Sequence, residues 1–410
     1  MNPESKVSEP VPTEKGPLAK RIKRHLIGRR QKFFAATAPG LEDLTLSEIE
    51  TLPGDIEEAR AVAGGVSFSG RVPDCYTANL YLRTANRILM RIAEFKATNF
   101  RQFEQKIAAL PLELYLPGNV LPQLRITTRH CRLYHKDALA AHFKTGMAKR
   151  MDALVVDHPV VTDNANHQTA ILLFVLGVDD RFTLSIDSSG ALLHKRGYKT
   201  DVGPAPIRET LAASILMRAG YDGKVPLIDP MCGSGTFALE ATMLAQKIAP
   251  GEHRDFAFMK WPCFRPRRWA YIKSMARKEQ IHIEAMFVLA ADRRPGAYAA
   301  LRKSCERLGL TSAIKVLQRD FEDLKPAEYF KRPGLVVINP PYGKRLGTPK
   351  QTTVLFETIG RMLKSHYQGW RLALIAPDKR LARQLPFKLH HQRLQHGGLN
   401  LRLLTGLIRG

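Results

Sequence analysis

Hydrophobic and polar positions alternate differently in the two halves of the chain. In the first half, short alternating runs predict strands, and longer runs with apolar residues at steps of three and four predict helices. The predicted strands cover 32–37, 123–128, 170–176 and 181–186, and the predicted helices cover 41–52, 76–89 and 135–154. This mixture of elements predicts compact α+β units in the first half.

From residue 206 onward, short apolar runs are separated by long helical segments, which is typical of a parallel sheet covered by helices. The predicted strands cover 226–228, 288–291, 314–317, 335–338 and 371–376, and a helix is predicted over 207–219. A break at Ser188, Ser189 and Gly190 separates the two patterns. We therefore predict an α/β domain over 188–410.

The first 30 residues follow neither pattern. Residues 1–16 are rich in proline, serine and charge, and a run of lysine and arginine follows. Segments of this composition bury too little apolar surface to fold alone. We predict a flexible basic tail over 1–30, which is either a solvated leader or an RNA-binding arm.

The composition excludes several classes of protein. Hydrophobic residues make up 44% of the 410 residues, which is ordinary for a globular protein and excludes wholesale disorder. No run approaches the roughly 18 apolar residues of a membrane span, so we expect no membrane partner. The five cysteines are scattered and form no CxxC pair, so we expect no metal. Unpaired cysteines are typical of a reducing compartment, which predicts a cytoplasmic location.

The charge favours a polyanionic partner over a merely soluble basic protein. Lysine and arginine total 63 against 38 aspartates and glutamates, and the net charge is +25. Basic side chains that neutralise phosphates release counterions, which drives binding to nucleic acid. The candidate contacts are Lys136 on the predicted helix 135–154 and three residues of a basic tract, Lys195, Arg196 and Lys199. For each, a solvated surface is the alternative.

A glycine-containing turn gives the first sign of a ligand site. Asp229 follows the predicted strand over 226–228, the turn contains Gly233 and Gly235, and an amphipathic helical segment comes after it. Glycines at this spacing let the backbone approach a ligand closely. Taken alone, the turn is also compatible with a dinucleotide site.

Two acidic residues come directly after the next predicted strands. Asp292 follows the strand over 288–291, and Asp320 follows the strand over 314–317. Because the carboxyl ends of parallel strands meet at one edge of a sheet, both residues can reach a ligand bound there, and a carboxylate can hold ribose hydroxyls. A helix N-cap or a surface carboxylate is the alternative for each.

The tract Asn339, Pro340, Pro341 and Tyr342 lies at the tip of a buried strand. The prolines lack backbone donors and stiffen the chain, so the carbonyls there are acceptors held in fixed directions. A planar nitrogen must donate its protons to such acceptors before its lone pair can attack. The Asn339 side-chain oxygen and the Pro340 carbonyl can accept those protons, and Tyr342 can stack on the ring. A plain strand terminator is the alternative.

Together with the glycine turn, this tract resembles class I S-adenosylmethionine-dependent methyltransferases with an Asn-Pro-Pro-Tyr motif. The stretches 185–190, 193–198, 205–212 and 229–237 make the chain similar to THUMP-containing RNA guanine-N2 methyltransferases, especially bacterial members that act on 23S rRNA. The resemblance covers about residues 31–410. It implies a Rossmann-like methyltransferase domain over 188–410, preceded by a ferredoxin-like region over 31–94 and a THUMP RNA-binding domain over 95–187.

The resemblance also implies the cofactor S-adenosylmethionine and a role for each matching residue. Gly233 and Gly235 should face its methionine part, Asp292 should bind the ribose, and Asp320 should bind the adenine amine. The predicted cofactor-binding set is Asp229, Met231, Gly233, Gly235, Thr236, Asp292 and Asp320. The predicted catalytic set, which should hold the target base, is Asn339, Pro340, Pro341 and Tyr342.

The chain departs from the family pattern in two places. Asp229 and Asp292 lie 63 positions apart, and the insertion between them carries aromatic residues among Arg265, Arg267 and Arg268. We expect this insertion either to contact RNA or to cover the sheet edge. Enterobacterial members of the family carry another methyltransferase domain after this one, whereas this sequence stops at residue 410, so a dual activity is not expected.

The sequence therefore predicts an enzyme that methylates the exocyclic N2 of a guanine, with 23S rRNA as the favoured partner. A tRNA guanine-N2 methyltransferase, a DNA adenine N6-methyltransferase and a protein glutamine N5-methyltransferase stay open, because the tetrapeptide serves adenine and carboxamide nitrogens too. A non-catalytic RNA-binding assembly factor is the alternative from a different class. The modified nucleotide and the oligomeric state are left open.

Overall fold

The computed structural model describes residues 16–117, 121–152, 171–198, 207–341, 348–396 and 399–409. These residues form two seven-stranded sheets, one in each half of the chain. None of the helices within the described ranges is long and apolar enough to cross a membrane.

The first sheet is mostly antiparallel. Its strands are β1 Gln31–Ala36, β2 Glu57–Val62, β3 Gly65–Gly70, β4 Arg87–Lys96, β5 Gln123–Arg129, β6 Leu172–Val178 and β7 Arg181–Asp187. They lie in the order β2-β3-β1-β4-β7-β6-β5, and β5 and β6 are parallel. The helices of this half are α1 Pro17–Ile22, α2 Glu42–Glu50, α3 Val72–Tyr81, α4 Phe100–Ala109 and α5 Lys136–Asp152. Phe33 of β1 and Leu173 of β6 are buried in the same core as Phe103 of α4 and Phe143 of α5.

One helix predicted from the sequence extends too far. The prediction continues to residue 89, whereas α3 ends at Tyr81 and Ile88 belongs to β4. Ile88, Leu89 and Met90 are buried in succession between the partly exposed Arg87 and Arg91. So short an apolar run fits a helix or a strand, and pairing with β1 decides in favour of the strand.

The two regions predicted over 31–94 and 95–187 share a single sheet. The boundary between them falls inside β4, which pairs with β1 on one side and with β7 on the other. Their buried residues also belong to one hydrophobic core. The sequence did not predict β2 and β3, which extend this sheet at the edge opposite β5.

The predicted flexible tail over 1–30 is corrected for its second half. Residues 17–22 form α1, and a π-helical turn, Lys23–Ile27, continues it. Ile22 and Leu26 are 6% and 0% exposed, because residues four apart lie on the same face of a helix and both pack into the first core. Arg21 adds an ion pair with Glu113 at 2.6 Å. Residues 1–15 of the predicted tail lie outside the described residues.

The second sheet confirms the predicted parallel strands and adds two more. Its strands are β8 Leu227–Asp229, β9 Val288–Ala291, β10 Ile314–Leu317, β11 Leu335–Ile338, β12 Arg371–Ala376, β13 His390–His396 and β14 Leu399–Leu407. The order is β10-β9-β8-β11-β12-β14-β13, in which β8 to β12 are parallel and β13 and β14 form an antiparallel hairpin beside β12. The sequence did not predict β13 and β14, since β13 is largely polar.

Helices cover both faces of this sheet. They are α6 Glu209–Arg218, α7 Thr236–Ala245, α8 Pro266–Lys278, α9 Pro295–Leu308, α10 Pro349–His366 and α11 Lys379–Ala382. Short 3-10 turns occur at Leu112–Leu114, Ala257–Lys260, Phe321–Asp323 and Pro326–Glu328. The residues facing α7 and α9 form one hydrophobic core, and those facing α10 form another.

The insertion between α7 and β9 joins the two halves of the molecule. Phe258 stacks on Tyr76 of α3, with ring centroids 4.4 Å apart, and Trp269 of α8 meets Tyr76 edge-on at 6.4 Å. Both insertion residues belong to the core of the first half. The aromatic residues of the insertion therefore pack against the N-terminal half rather than covering the sheet edge.

Candidate active site

The predicted site residues meet at one edge of the second sheet. The strand order runs one way from β8 to β10 and the other way from β11 to β12, so β8 and β11 flank a switch point. Open α/β sheets bind ligands at the carboxyl ends of the strands beside such a point. Asp229 ends β8, Asp292 follows β9 and Asn339 follows β11, so all three lie at this rim.

The two glycines of the turn after β8 serve different purposes. Both have left-handed backbone conformations, with φ of 55° at Gly233 and 76° at Gly235. A Cβ atom at Gly235 would lie 2.2 Å from Leu301 Cδ1, so this glycine is needed for α7 to pack against α9. A Cβ atom at Gly233 would meet nothing closer than Arg294 Nη2 at 3.8 Å. The turn is therefore open at Gly233, on the side that faces the rim of the sheet.

Asp229 is a buried acid without an ordinary hydrogen-bond partner. It is 1% exposed, and neither carboxylate oxygen has a partner of normal hydrogen-bond geometry among the described residues. Burial, and then the neighbouring charge of Asp292, raise the pKa of Asp229 well above its usual range, although the amides of Met231 and Ala238 oppose this. The neutral form of Asp229 is therefore favoured.

Asp292 lies beside Asp229 but is held in its charged form. Its carboxylate accepts hydrogen bonds from the Gly233 amide at 2.9 Å and the Arg294 amide at 3.0 Å. The Arg294 guanidinium donates two more, from Nε at 3.0 Å and from Nη2 at 3.2 Å. Burial alone would raise the pKa of Asp292, but these hydrogen bonds outweigh burial and lower it.

Arg294 was missing from the residues predicted from the sequence. Its guanidinium covers the carboxylate that was expected to bind ribose, while its own side chain is 64% exposed. A cation two positions after a rim carboxylate is the sequence signal that could have identified it. Such a side chain can reach back to the carboxylate or swing out into water.

For three other predicted cofactor-binding residues, the contacts in the structure do not by themselves indicate a ligand. Thr236 begins α7 and donates to the Ile207 carbonyl at 3.5 Å, which is a contact within the protein. Met231 is partly exposed in the turn. Asp320 follows β10 and is 39% exposed, but one of its oxygens caps a 3-10 turn through the Glu322 amide at 3.3 Å. The N-cap alternative for Asp320 is thus realised in the structure, and its other oxygen lies 3.6 Å from Arg293.

Asn339 presents an acceptor without a partner. Its side-chain oxygen is buried and has no hydrogen-bond partner in the part of the chain that the structure describes. Pro340 is buried and Pro341 is partly exposed. Tyr342, the fourth predicted residue of this tract, lies outside the described residues. A free acceptor at the end of β11 is the feature needed to receive a proton-bearing nitrogen.

The basic residues predicted to bind nucleic acid have different environments. Lys136 at the start of α5 and Lys195 are exposed, whereas Lys199 lies outside the described residues. Arg196 is corrected, because its side chain is only 2% exposed and pairs with Glu240 of α7 at 3.1 Å. Its guanidinium also donates to the Arg83 carbonyl at 2.8 Å, so Arg196 joins the two halves of the protein and does not contact a ligand in solution.

Comparisons with known proteins match both halves of the chain. Residues 196–396 match the family described as "RMKL-like, methyltransferase domain", and residues 32–89 match the family described as "RlmL ferredoxin-like domain". These matches agree with the Rossmann-like and ferredoxin-like parts of the predicted fold. Residues 196–396 include every rim residue discussed above.

The chain is 32% identical over 385 residues to "Ribosomal RNA large subunit methyltransferase K/L" of Syntrophotalea carbinolica, covering 91% of this chain and 53% of that protein. It is 29% identical over 382 residues to "Putative RNA methyltransferase slr0064" of Synechocystis sp., covering 91% of this chain and 95% of that protein. The chain spans about half the length of the K/L relatives it matches.

Among solved structures, "SMU.472, a putative methyltransferase complexed with SAH" superposes with a TM-score of 0.82 and 26% identity. The match covers 93% of this chain and 99% of that chain, so it includes both sheets. With the rim geometry and the two family matches, it leads to one assignment. Residues 196–396 form an RMKL-like methyltransferase domain, and residues 32–89 ahead of them form an RlmL ferredoxin-like domain.

Proposed function

We propose that this protein is an S-adenosylmethionine-dependent RNA methyltransferase that modifies the exocyclic N2 of a guanine in 23S rRNA. The observation that carries the proposal is the buried, unpartnered side-chain oxygen of Asn339 at the switch point of the second sheet. It lies on the same rim as Asp229 and Asp292. Carboxylates at the ends of parallel strands can hold a nucleoside cofactor, and a hydrogen-bond acceptor beside them can receive an amino group. Together they fit a reaction between such a cofactor and an amino nitrogen.

The residues present fit the cofactor. Asp229 is a buried acid with a raised pKa, and only the amides of Met231 and Ala238, outside normal hydrogen-bond geometry, act on its two oxygens. A cationic amine placed beside it would favour the ionised form and could use both oxygens. Asp292 is already ionised and would hold the ribose hydroxyls once Arg294 moves aside. Asp320 would bind the adenine amine through the oxygen that does not cap the turn. The neighbour SMU.472, which was crystallised with SAH, supports this choice of cofactor.

The reaction needs alignment more than it needs a strong base. The cofactor supplies a methyl group on a sulfonium centre, which is a good electrophile. Asn339 and the Pro340 carbonyl would accept hydrogen bonds from the two N–H groups of the guanine amine, so that its lone pair is directed at the methyl group. As the nitrogen–methyl bond forms and the sulfur–methyl bond breaks, the nitrogen would lose one proton to solvent. Tyr342 would stack on the base. Holding two reactants in line contributes about 7–11 kcal/mol, which is the main effect required of these residues.

Several observations support RNA as the substrate. The net charge of +25 fits a polyanion, and exposed Lys136 and Lys195 would contact its backbone. The relatives named ribosomal RNA large subunit methyltransferase K/L support 23S rRNA, and the relatively large N-terminal half supports a THUMP-type RNA-binding unit within 95–187. An rRNA substrate also implies a cytoplasmic location. Removal of the target base from its stack would cost a few kcal/mol, which stacking on Tyr342 would offset.

The test is to offer isotopically labelled S-adenosylmethionine with rRNA, tRNA, DNA and protein in separate reactions. We expect label in 23S rRNA alone, and nucleoside mass spectrometry should identify N2-methylguanosine. Label in tRNA would change the substrate but keep the chemistry. N6-methyladenine or methylglutamine as the product would overturn the guanine assignment. No transfer to any of the four, with binding to RNA retained, would instead support a non-catalytic assembly factor.

A further inference from the structure

The first sheet has one buried face and one face open to water. In β5, Arg125 and Arg129 are exposed, while Leu124 and Ile126 between them pack against the core. The open face continues onto β6, where Leu176 and Val178 are 37% and 39% exposed although both are apolar. Apolar side chains exposed beside basic ones on a sheet surface are typical of a binding site rather than of a purely solvated face.

The strand register aligns the open face in rows that run across β4, β7, β6 and β5. The first row consists of Arg91, Ser185, Phe174 and Arg125, and the third row consists of Lys96, Arg181, Val178 and Arg129. The row between them consists of Glu94, Thr183, Leu176 and Thr127. Neighbouring strands lie about 4.8 Å apart, so each row is about 14 Å long. Cations on β4, β7 and β5 thus flank the apolar residues of β6, Phe174, Leu176 and Val178, whereas Ser185 in the first row is itself buried.

The charge on this face is strongly unbalanced. Its three rows contain five cations and one carboxylate, Glu94. Among the described residues, none of these five cations has a carboxylate within 4.0 Å, although Arg132 just beyond β5 is paired with Asp180 at 3.4 Å. Unpaired cations at fixed spacing on a rigid sheet can bind a chain of phosphates without losing an internal partner.

Aromatic rings lie next to these cations. Phe174 in the first row is only partly buried, and so is Phe34 on the same face of β1. The Arg91 guanidinium lies over the Phe34 ring, with its central carbon 4.7 Å from the ring centroid, and also donates to Ser185 Oγ at 3.4 Å. A planar guanidinium held over a ring presents a flat surface on which a nucleobase can stack.

We propose that this face, defined by the three rows and Phe34, binds a single-stranded segment of the substrate RNA. Phosphates contact Arg125, Arg129 and Arg181, and bases stack on Phe174 and on the Phe34–Arg91 pair. Single strands fit better than duplexes, because only unstacked bases offer their π faces to aromatic side chains. The inference rests on the proposed RNA substrate and locates its contact mainly on the unit within 95–187, but it uses neither Lys136 nor Lys195, nor any residue assigned to the cofactor or the target base.

The first test uses the full-length protein and a fluorescently labelled single-stranded RNA of about 20 nucleotides, a length that exceeds the site of one compact domain. Arg125→Ser with Arg129→Ser should weaken binding about tenfold at low salt and reduce the slope of log affinity against log salt by about 0.7 per lost contact. The matched control is Arg307→Ser with Lys364→Ser, on the exposed sides of α9 and α10, which removes the same charge from another part of the surface. The control should keep the wild-type slope.

The second test separates stacking from charge. Phe174→Leu keeps an apolar side chain of similar size, so the fold should survive, and thermal unfolding should confirm this. We expect at least a fivefold loss of single-strand affinity with an unchanged salt slope, because stacking on an aromatic ring is lost while the phosphate contacts stay. Affinity for the matching duplex should be lower than for the single strand in the wild type and should not respond to Phe174→Leu.

Several outcomes would overturn the inference. Equal affinities for the charge variant and its control on α9 and α10, or preference for the duplex, would exclude this face as a single-strand site. A dimer that dissociates in the charge variant would assign the face to a second copy of the chain. If the wild type binds and methylates RNA while both sheet variants behave like it, only this inference fails. If the wild type binds no RNA at all, the proposed function fails with it.

Discussion

Two regions of the protein bury polar groups: the contact between its two halves around Arg196 and Glu240, called the seam below, and the rim of the second sheet. The two regions differ in how many of these groups have hydrogen-bond partners. At the seam, Arg196 donates from all three guanidinium nitrogens, and Glu240 accepts from Arg196 and from Tyr198. At the rim, the Asn339 side-chain oxygen and both oxygens of Asp229 have no partner of normal geometry within the described residues.

This difference separates structural from functional polar groups. A buried polar atom left without a partner costs about 1–3 kcal/mol, and native proteins keep only a few of them. Arg196 and Glu240 avoid this cost, although Nη1 of the neighbouring Arg83 has no hydrogen-bond partner among the described residues. The rim accepts the cost at Asp229 and Asn339, which is explained if a ligand supplies the missing partners. Changes at the seam should therefore affect stability, and changes at the rim should affect chemistry.

The largest effect is expected from breaking the seam. Arg196→Met should lower the free energy of unfolding by about 3–5 kcal/mol, because it leaves the fully buried Glu240 carboxylate without its partner. The measurement is urea unfolding followed by circular dichroism. The double variant Arg196→Met with Glu240→Leu should recover most of this loss. Lys195→Met, at an exposed neighbouring position, is the control, and a loss as large as that of Arg196→Met would contradict the distinction.

The rim should respond in the opposite way. Asn339→Ala should reduce kcat for methyl transfer about 10²–10³-fold, since it removes an acceptor aimed at the reacting amine. Its unfolding free energy should not fall, because no described residue donates to that oxygen and the variant removes the cost of burying it unpartnered. Affinity for S-adenosylhomocysteine, measured by calorimetry, should stay near the wild-type value. Asn400→Ala on β14 serves as the control, and near-normal turnover in Asn339→Ala would refute the acceptor role.

The contrast between rim and seam also explains which features could be predicted from the sequence and which could not. The rim was predictable because its parts are local motifs, a glycine turn after one strand and Asn339 at the tip of another. The seam was not, because Arg196 belongs to a basic tract and its partner Glu240 lies 44 positions away. An acid in the middle of the apolar helix α7 was the available signal. Likewise, short apolar pairs such as Ile22 and Leu26 became buried only through packing against the first core.

The two rim carboxylates should change stability with pH in opposite directions. The pKa of Asp229 is raised in the folded protein, so wild-type stability falls as pH rises above the unfolded value of about 3.9. Asp229→Asn removes this loss and should become more stable than the wild type near neutral pH. The pKa of Asp292 is lowered, so its stabilising contribution is present above about pH 3.9 and is lost as pH falls.

Urea unfolding of both variants across the range from about pH 3 to 8 tests this, since the window contains the unfolded pKa. Asp292→Asn should be less stable than the wild type at neutral pH, and the difference should narrow in acid. If the free energy of unfolding changed with pH in the same way for both variants, the two rim carboxylates would have the same effect on stability. In that case the unpartnered oxygens of Asp229 would have no special role.

The smallest effect is expected from a change at Arg294. This residue gives the rim carboxylate of Asp292 an ion-pair partner within the protein, as the residues at the seam have. Because the Arg294 side chain is 64% exposed, its ion pair should contribute no more than about 1 kcal/mol. Arg294→Ala should therefore tighten binding of S-adenosylhomocysteine by at most about fivefold, since the ribose hydroxyls no longer compete with a guanidinium. Wild-type affinity should rise with salt as the ion pair is screened, whereas the variant should be insensitive. Arg307→Ala, on the exposed side of the same helix, should match the wild type. Weaker binding by Arg294→Ala would show instead that the guanidinium keeps Asp292 ready for the ribose, and Arg294 would then be a positioning residue.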